Sequence, residues 1–290
     1  MLHTDKLRIL LHGFILGGLF AILILPLPAP AQDDARTVLI TGSSRGHGLA
    51  FVNDYAERGW NVIATTRTPS EAERLHALAE KFSNVVIEEM DILDFDEVDA
   101  LATKYVDTPI DVLNLNAAIK TFRPRMVQGR ELGLNLFGKT DYAWLEQVLR
   151  TNIIGQLYVS EAFLEHVAAS KQKTIAVMSA QGGSIANIRS PLAPTYHASK
   201  AGLNALMRRY GEAVKNRGVV VGIIAPYTID VENYLEVEDP SILPERIQGY
   251  LATNQYVPRR AIGAIMDLID GLTLDDIGTF HRWDGTTLPW

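Results

Sequence analysis

VLITGSSRGHGLA, residues 38–50, is the stretch that decides the fold of this chain. Its apolar start predicts a buried strand, and the glycines Gly42, Gly46 and Gly48 predict a turn that leads into a helix. Glycine tolerates positive φ and lets a ligand approach the backbone closely. The helix start presents unpaired N–H groups and the positive end of the helix dipole, which together favour a diphosphate. The alternative is an ordinary strand-to-helix turn that needs glycine only for its shape.

Composition narrows the class of protein. The chain has 290 residues, 47% of them apolar, which is ample for a core, and residues 35–290 suit one large α/β domain or two small ones. The net charge of −7 argues against a nucleic-acid partner. The absence of cysteine excludes disulfides and thiol nucleophiles. None of the seven histidines is paired at the i,i+4 spacing, so no protein-bound metal is predicted.

Residues 1–31 have the features of a targeting segment. Lys6 and Arg8 precede an apolar run over 9–27, and Ala29-Pro30-Ala31 supplies an Ala-x-Ala cleavage site. This pattern predicts a signal peptide that is cleaved after Ala31. An uncleaved membrane anchor is the alternative, since ~17–19 apolar residues just span a bilayer. In both cases the domain is expected to be exported, as a periplasmic, secreted or membrane-anchored protein, with the membrane contacted only through this segment.

Beyond Asp34, apolar strand-like runs alternate with helix-like stretches. Continuous apolar strands separated by helices predict a parallel sheet that is covered on both faces, which is a doubly wound α/β fold. Ligands of such a sheet bind at the carboxyl ends of its strands. The absence of a linker or repeat makes 35–290 a single predicted domain. The predicted strands are 38–41, 60–65, 85–90, 110–115, 174–179, 219–225 and 278–282, and the predicted helices are 48–58, 70–82, 95–105, 142–170, 195–216 and 261–271.

Tyr196 and Lys200 lie four residues apart at the start of the long predicted helix, so they share one helical face. A phenol with a pKa of ~10 is a poor acid or base at neutral pH. A nearby ammonium is expected to lower that pKa and to make the pair useful for acid/base chemistry on a carbonyl or an alcohol. The alternative is a partly buried tyrosine beside a surface lysine.

The glycine turn and this Y-x3-K pair, taken together and in order, resemble the short-chain dehydrogenase/reductase family over residues 35–290. The family's T-G-x3-G-x-G motif is matched from Thr41 to Gly48. The ending Phe280–Trp290 resembles the tail of the carbonyl-reductase branch that includes the C-factor-like proteins. Three further matches are Asp91-Ile92 after the third strand, Asn116 in the sequence LNAA where the family has NNAG, and Asn152 in the sequence TNIIG.

The resemblance implies a Rossmann-type domain and an NAD(P)-dependent oxidoreductase that interconverts a small carbonyl and an alcohol by hydride transfer. Tyr196 would be the acid/base, Lys200 would hold the ribose hydroxyls, and Asn152 would fix a helix irregularity and a water on the proton path. Many relatives are dimers or tetramers, so a homo-oligomer is expected. The implied cofactor contacts are Gly42, Ser44, Arg45, Gly46, Gly48, Arg67, Asp91, Ile92, Asn116, Tyr196, Lys200 and Pro226.

The sequence departs from the family at several positions, and Leu115 and Ala118 in the LNAA stretch are tolerable replacements. Ala180 occupies the position of the usual catalytic serine, so Ser179 is predicted to orient the substrate oxygen, with Ser184 as the alternative. Losing one such donor typically costs ~10²–10³ in rate. Tyr227 replaces the glycine of the family's Pro-Gly after the sixth strand, and Thr228 is the nearest substitute for its threonine.

The end of the second predicted strand points to the cofactor. An NAD site usually has an acid there to bind the ribose hydroxyls, whereas this chain has Thr66 followed by Arg67. Arg67 and Arg45 are predicted to hold the 2′-phosphate of NADP by charge-assisted hydrogen bonds, with NAD as a possible cofactor. The alternative is that both arginines are solvated surface charges.

Two segments are candidates for the walls of the substrate site. Residues 227–256 are predicted to form an apolar-lined lid, with Tyr234, Leu235, Ile242, Leu243, Ile247, Tyr250 and Leu251 as its apolar side chains, or else the core of a helix. Residues 120–139 are a second wall or a surface excursion. His47 is expected to face solvent, with a phosphate contact as the alternative.

Two other functions remain open. Ala180, Tyr227 and the export signal are compatible with a catalytically weak or inactive dinucleotide-binding sensor on the same fold. An epimerase or dehydratase is less well supported, because the chain is short for the extended branch of these enzymes.

Overall fold

The computed structural model describes residues 35–120, 125–127, 130–132, 137–191, 193–234, 237, 239–243, 245, 248 and 256–290. The predicted signal peptide or anchor over 1–31 lies outside the described residues. Across the described ranges, no helix combines the length and the apolar character that crossing a membrane requires.

Strands and helices alternate along the described chain. A π-helical turn, Arg150–Gly155, joins the helix Tyr142–Leu149 to the helix Gln156–Ala162. The strands are β1 (Thr37–Ile40), β2 (Asn61–Thr66), β3 (Val85–Glu89), β4 (Val112–Leu115), β5 (Arg125–Val127), β6 (Arg130–Leu132), β7 (Thr174–Met178), β8 (Val220–Ala225), β9 (Thr228–Ile229), β10 (Tyr256–Val257) and β11 (Phe280–Arg282). The helices are α1 (Gly46–Glu57), α2 (Glu73–Lys81), α3 (Phe95–Lys104), α4 (Tyr142–Leu149), α5 (Gln156–Ala162), α6 (Leu164–Ala169), α7 (Pro194–Val214) and α8 (Ala261–Gly271).

Seven strands form one parallel sheet in the order β11-β8-β7-β4-β1-β2-β3. The chain runs from β1 out to β3 and then crosses to β4 on the other side of β1. Val38 is therefore in register with Val62 on one side and with Val112 on the other. This reversal between β1 and β4 opens a crevice at their carboxyl ends, where a doubly wound sheet binds its ligand. The predicted fold class is confirmed.

The sheet is buried on both faces because its strands are continuous apolar runs. Side chains of a strand alternate between the faces, so Val38 and Ile40 join one core and Leu39 joins the other. Helices α1 and α8 cover the first face, with Phe51 and Ile265 fully buried there. Helices α5 and α7 cover the second, with Val159 and Met207.

Several predicted bounds change in the structure. The helix predicted over 70–82 begins at Glu73, after a separate 3₁₀ turn at Pro69–Glu71. The long helical stretch predicted over 142–170 is divided into three helices and the π-helical turn. The antiparallel pair β5–β6 and the parallel pair β9–β10 were not predicted, since each strand is only two or three residues long.

The glycine turn fixes how closely α1 approaches the end of β1. Gly42 has φ +70°, a conformation that side chains with a Cβ rarely adopt. A Cβ built on Gly48 would lie 2.2 Å from the carbonyl oxygen of Gly42 and 2.6 Å from Nδ2 of Asn116. Gly48 is therefore required for packing between the helix and the two strand ends.

Replacing Gly48 by alanine is expected to lower the free energy of unfolding by about 1–3 kcal/mol, because the added methyl group overlaps backbone atoms that cannot move independently. Urea denaturation measures the effect. The matched control is Gly271→Ala at the exposed end of α8, where an added Cβ meets no atom within 4 Å. Equal stability of the two variants would contradict the packing role of Gly48.

Candidate active site

Two cavities lie at the carboxyl edge of the sheet. The first, of about 380 Å³, covers the turn between β1 and α1 and the ends of β2, β3 and β4. The second, of about 750 Å³, lies beyond the ends of β7 and β8. They meet at consecutive residues, since Ile119 lines the first and Lys120 lines the second. Of the predicted cofactor contacts, the first cavity is lined by Gly42, Ser44, Arg45, Gly46, Arg67, Asp91, Ile92 and Asn116.

Side chains at the ends of β1 and β4 form hydrogen bonds across the floor of the first cavity. The Thr41 hydroxyl accepts hydrogen bonds from the backbone N–H groups of Asn116 (3.0 Å) and Ala117 (2.9 Å). The Asn116 amide donates in return to the carbonyl oxygens of Thr41 (3.0 Å) and Gly42 (3.1 Å). These four bonds hold the ends of β1 and β4 in one arrangement.

The turn itself is open toward the cavity. Gly46 has φ +59°, and a Cβ built there would meet no atom within 4 Å. Helix α1 begins at this residue, and no side chain caps its start. Its first N–H groups are therefore available to an anion. Arg45 and Arg67 are exposed at the rim of the same cavity.

Three predicted cofactor contacts, Gly48, Pro226 and Lys200, are not among the described residues that line the two cavities. Gly48 is buried against Gly42 and Asn116 and is not among the described residues that line a cavity, so it acts through packing. Pro226 is buried and is likewise absent from the described cavity linings. Asp91 lines the first cavity, where its carboxylate accepts from the N–H of Leu93 (2.9 Å).

Tyr196 and Lys200 come together at the second cavity, which the Tyr196 ring lines. Lys200 is buried beneath it, with Nζ 5.9 Å from the centre of that ring. Among the described residues, the Lys200 ammonium donates one hydrogen bond, to the carbonyl oxygen of Met178 (2.7 Å). Its remaining N–H donors form no hydrogen bond with the described residues.

The expected lowering of the tyrosine pKa is not found. Burial raises the pKa of Tyr196 to about 12 and lowers the pKa of Lys200 to about 7. Desolvation disfavours both charged forms, and at this position it outweighs the attraction between them. The Tyr196 phenol therefore stays protonated at neutral pH, in the form that can donate a proton.

Asn152 lies in the π-helical turn and holds two segments of the site. Its side chain accepts from the N–H of Ile119 (2.9 Å) and donates to the Ile119 carbonyl (3.1 Å) and to the Ser199 hydroxyl (3.0 Å). Ser199 in turn donates to the Tyr196 carbonyl oxygen (2.7 Å). Ser199 was missed from the sequence because no motif marks it.

The predicted role of Ser179 requires correction. Ser179 is buried at the end of β7, and its hydroxyl donates to Oδ1 of Asn204 (2.5 Å) on α7. It is not among the described residues that line the second cavity, which is lined instead by Ala180. Neighbouring residues of an extended chain point to opposite sides, so only one of the two can face the cavity. Ser184 does line it, but its hydroxyl donates to the carbonyl oxygen of Pro289 (2.6 Å).

Tyr227 and Thr228 both line the second cavity. Tyr227 has φ +65°, the left-handed conformation for which glycine is the usual residue. The guanidinium carbon of Arg282 lies 5.1 Å from the centre of the Tyr227 ring. The family's glycine is thus replaced by a strained aromatic residue that is stacked on a cation.

His47 does not face solvent as expected. It is half-buried, and its Nε2 accepts from the backbone N–H of Ile229 (3.4 Å). Burial lowers the pKa of His47 to about 4, with help from the positive charges of Lys120 and Arg259. His47 is therefore neutral near pH 7 and links the nucleotide turn to β9.

The two predicted walls are described in part. Lys120 lines the second cavity, and β5 and β6 of the same segment form a hairpin. Of the predicted lid over 227–256, Ile242 is exposed, whereas Leu235, Ile247, Tyr250 and Leu251 lie outside the described residues. Lys120 and Arg282 were not singled out from the sequence, although each follows or ends a strand at the carboxyl edge.

In the part of the chain that the structure describes, no three histidine, aspartate or glutamate side chains lie close enough together to hold a metal ion.

Comparison with known proteins gives a consistent result. The family profile described as short chain dehydrogenase matches residues 36–240. An uncharacterized oxidoreductase of Schizosaccharomyces pombe is 28% identical over 258 residues, which is 87% of this chain and 96% of that protein. The carbonyl reductase Sniffer of D. melanogaster superposes with a TM-score of 0.69 at 22% identity, over 88% of this chain and 100% of that one. An NADPH-bound carbonyl reductase from chicken fatty liver gives a TM-score of 0.69 at 24% identity, over 88% of this chain and 94% of that one.

The burial of Lys200 predicts a pH dependence of stability. Its folded pKa of about 7 lies below its unfolded value, so between these values the unfolded chain binds more protons and the free energy of unfolding rises with pH. From about pH 7.5 to about pH 9 the gain from this residue is about 2 kcal/mol. Urea denaturation of the wild-type protein and of Lys200→Met at both values measures it, and the variant is expected to lose this part of the slope.

The control is Lys215→Met, which removes an exposed lysine beyond α7 and is expected to keep the wild-type slope. If Lys200→Met kept the full slope as well, the burial of a largely uncharged lysine would be contradicted.

Proposed function

We propose that this chain, which belongs to the short-chain dehydrogenase family, is an NADP-dependent oxidoreductase that reduces a small carbonyl compound to an alcohol. The carrying observation is the phenol of Tyr196 on the cavity wall, whose ring centre lies 5.9 Å from Nζ of the buried Lys200. Relatives and solved structures described as oxidoreductases and carbonyl reductases support the same class of chemistry.

The residues of the first cavity fit the cofactor. The open turn at Gly46 and the uncapped start of α1 suit a diphosphate. The end of β2 carries Thr66 and Arg67 in place of an acid, so the rim favours a 2′-phosphate over a free ribose hydroxyl. The spare donors of Lys200 suit ribose hydroxyls. The chicken carbonyl reductase, whose structure is described as NADPH-bound, supports this choice.

NADPH, when bound, supplies the hydride to the carbonyl carbon. Tyr196 would donate its phenolic proton to the carbonyl oxygen, and its pKa would have to fall from about 12 when the cofactor and substrate bind for this transfer to be efficient. The phenolate that this leaves lies beside Lys200, whose charged form it then favours. Asn152 and Ser199 hold the backbone of Ile119 and Tyr196, so the phenol keeps its position through the reaction.

A second candidate, a dinucleotide-binding sensor of low activity, is favoured by one observation. Ala180 lines the cavity where a hydroxyl is expected, and the Ser179 hydroxyl is bonded to Asn204 inside the core. The substrate oxygen would then lack one donor, which lowers the rate by ~10²–10³ without preventing reaction.

The proposal extends to location and assembly. The protein is proposed to be exported, or anchored to a membrane, through residues 1–31. It is also proposed to form a homo-oligomer. An exported reductase requires a supply of NADPH outside the cytoplasm.

The experiment that tests the reductase function is turnover of NADPH with a panel of aldehydes and ketones, followed by NADPH absorbance. Tyr196→Phe is expected to lower kcat by about 10²–10⁴-fold, because the proton donor is lost, while NADPH affinity is retained. Tyr142→Phe, at an exposed tyrosine of α4, is the control and keeps full activity. Turnover that survives Tyr196→Phe excludes the proton-transfer role, and tight NADPH binding without turnover of any carbonyl favours the sensor.

The cofactor preference is tested by titrating the protein with NADPH and NADH. Arg67→Gln is expected to weaken NADPH binding by about 10-fold or more, because a charge-assisted hydrogen bond to the 2′-phosphate is worth about 1.5–3 kcal/mol. NADH binding is expected to stay unchanged. Arg209→Gln, at an exposed arginine of α7, removes the same charge elsewhere and controls for the net effect. An equal loss for both nucleotides would place Arg67 outside the 2′-phosphate site.

A further inference from the structure

The second cavity is positively charged, although the whole chain carries a net charge of −7. Three cationic side chains line it, those of Lys120, Arg189 and Arg282, and no carboxylate occurs among the described residues that line it. His197 adds no charge near neutral pH, since burial and the neighbouring Lys120 lower its pKa. A concave site with charges of one sign attracts a ligand of the opposite sign.

Arg282 is the most informative of the three. It ends β11, where it is in register with Ala225 at the end of β8, so it lies at the carboxyl edge next to Pro226 and Tyr227. Its guanidinium carbon is 5.1 Å from the centre of the Tyr227 ring. Its Nε is buried and has no hydrogen-bond partner among the described residues. The Arg282 side chain as a whole is 36% exposed and lines the cavity, so its guanidinium is accessible to a ligand there.

One carboxylate competes for Arg282 from outside the cavity lining. Oδ2 of Asp284 lies 3.8 Å from Nη2 of Arg282. The other oxygen, Oδ1, already accepts from the N–H (3.1 Å) and the hydroxyl (2.6 Å) of Thr286. Asp284 thus holds one edge of the guanidinium at long range and leaves Nε unsatisfied.

The other two cations are placed around the same space. Arg189 donates from Nη1 to the carbonyl oxygens of Ala186 (3.0 Å) and Ile188 (2.9 Å), which fixes its guanidinium at the cavity rim. Nζ of Lys120 lies 5.4 Å from the centre of the Tyr196 ring. Positively charged side chains therefore line the second cavity from Lys120, near the Tyr196 ring, to Arg189 at the rim.

We propose that the substrate reduced at Tyr196 carries a carboxylate as well as its carbonyl group, and that Arg282 binds this carboxylate. The inference rests on the proposed function and adds the substrate class. A guanidinium presents paired donors that match a carboxylate, and such bonds are strongest in a partly buried site. The phosphates of the nucleotide are accounted for by the first cavity, at the start of α1. Val257 and Trp283 line the second cavity and leave an apolar surface for the carbon skeleton.

The test measures binding without turnover. Benzoate and benzamide, which differ in charge but hardly in shape, are titrated by calorimetry into the full-length protein saturated with NADPH. Benzoate is expected to bind at least about 10-fold more tightly than benzamide, and Arg282→Gln is expected to abolish that preference. Arg209→Gln, on the exposed face of α7, is the control and is expected to keep the preference for benzoate. Equal binding of the two compounds, or a preference that survives Arg282→Gln, overturns the proposal.

A second variant covers the case in which Arg282→Gln does not fold. Arg282→Lys keeps the charge but loses the paired donors, so benzoate affinity is expected to fall by about 3- to 10-fold with benzamide affinity unchanged. Unchanged benzoate affinity would overturn the proposal.

Turnover of 4-carboxybenzaldehyde and 4-formylbenzamide separates this inference from the proposed function. Equal kcat/KM for the two aldehydes overturns the carboxylate site and leaves the reductase function intact. A benzoate preference that depends on Arg282, together with no reduction of either aldehyde, overturns the reductase function and leaves the carboxylate site supported.

Discussion

The hydrogen bonds between the ends of β1 and β4 are the constraint on which the site depends. Thr41 and Asn116 bind each other's backbone at the point where the sheet reverses direction. From there one path of short contacts reaches the phenol: the chain passes from Asn116 to Ile119, Asn152 holds Ile119, and Ser199 joins Asn152 to Tyr196. The glycine turn and Tyr196 are therefore positioned by one connected set of bonds.

Burial, rather than mutual attraction, sets the charge states at the centre of the site. It raises the pKa of Tyr196 to about 12 and lowers the pKa of Lys200 to about 7. A neutral phenol is the form that can donate a proton to a carbonyl oxygen, and lowering its pKa is left to the bound cofactor and substrate. In the proposed reaction, the ion pair between the Tyr196 phenolate and Lys200 would form only after the proton has left, and its electrostatic gain would stabilise the product state.

Local patterns predicted much of this arrangement. Continuous apolar runs gave the parallel sheet, and the glycine spacing located the turn to within a few residues. The orientation of Ser179 was not predictable, because it depends on where β7 ends and on Asn204, 25 positions further along the chain. His47 was misplaced for the same reason, since its partner Ile229 is 182 positions away. The cationic cavity arises from Lys120 and Arg282, which only the sheet order brings together.

The most direct measurement is a crystal structure of the protein with NADPH. We predict the diphosphate on the N–H groups at Gly46, the ribose hydroxyls on Nζ of Lys200, and the nicotinamide open to a carbonyl placed about 3–3.5 Å from its reactive carbon and beside the Tyr196 hydroxyl. A nucleotide bound away from the β1–α1 turn, or one bound there with its nicotinamide directed away from Tyr196, would contradict the account.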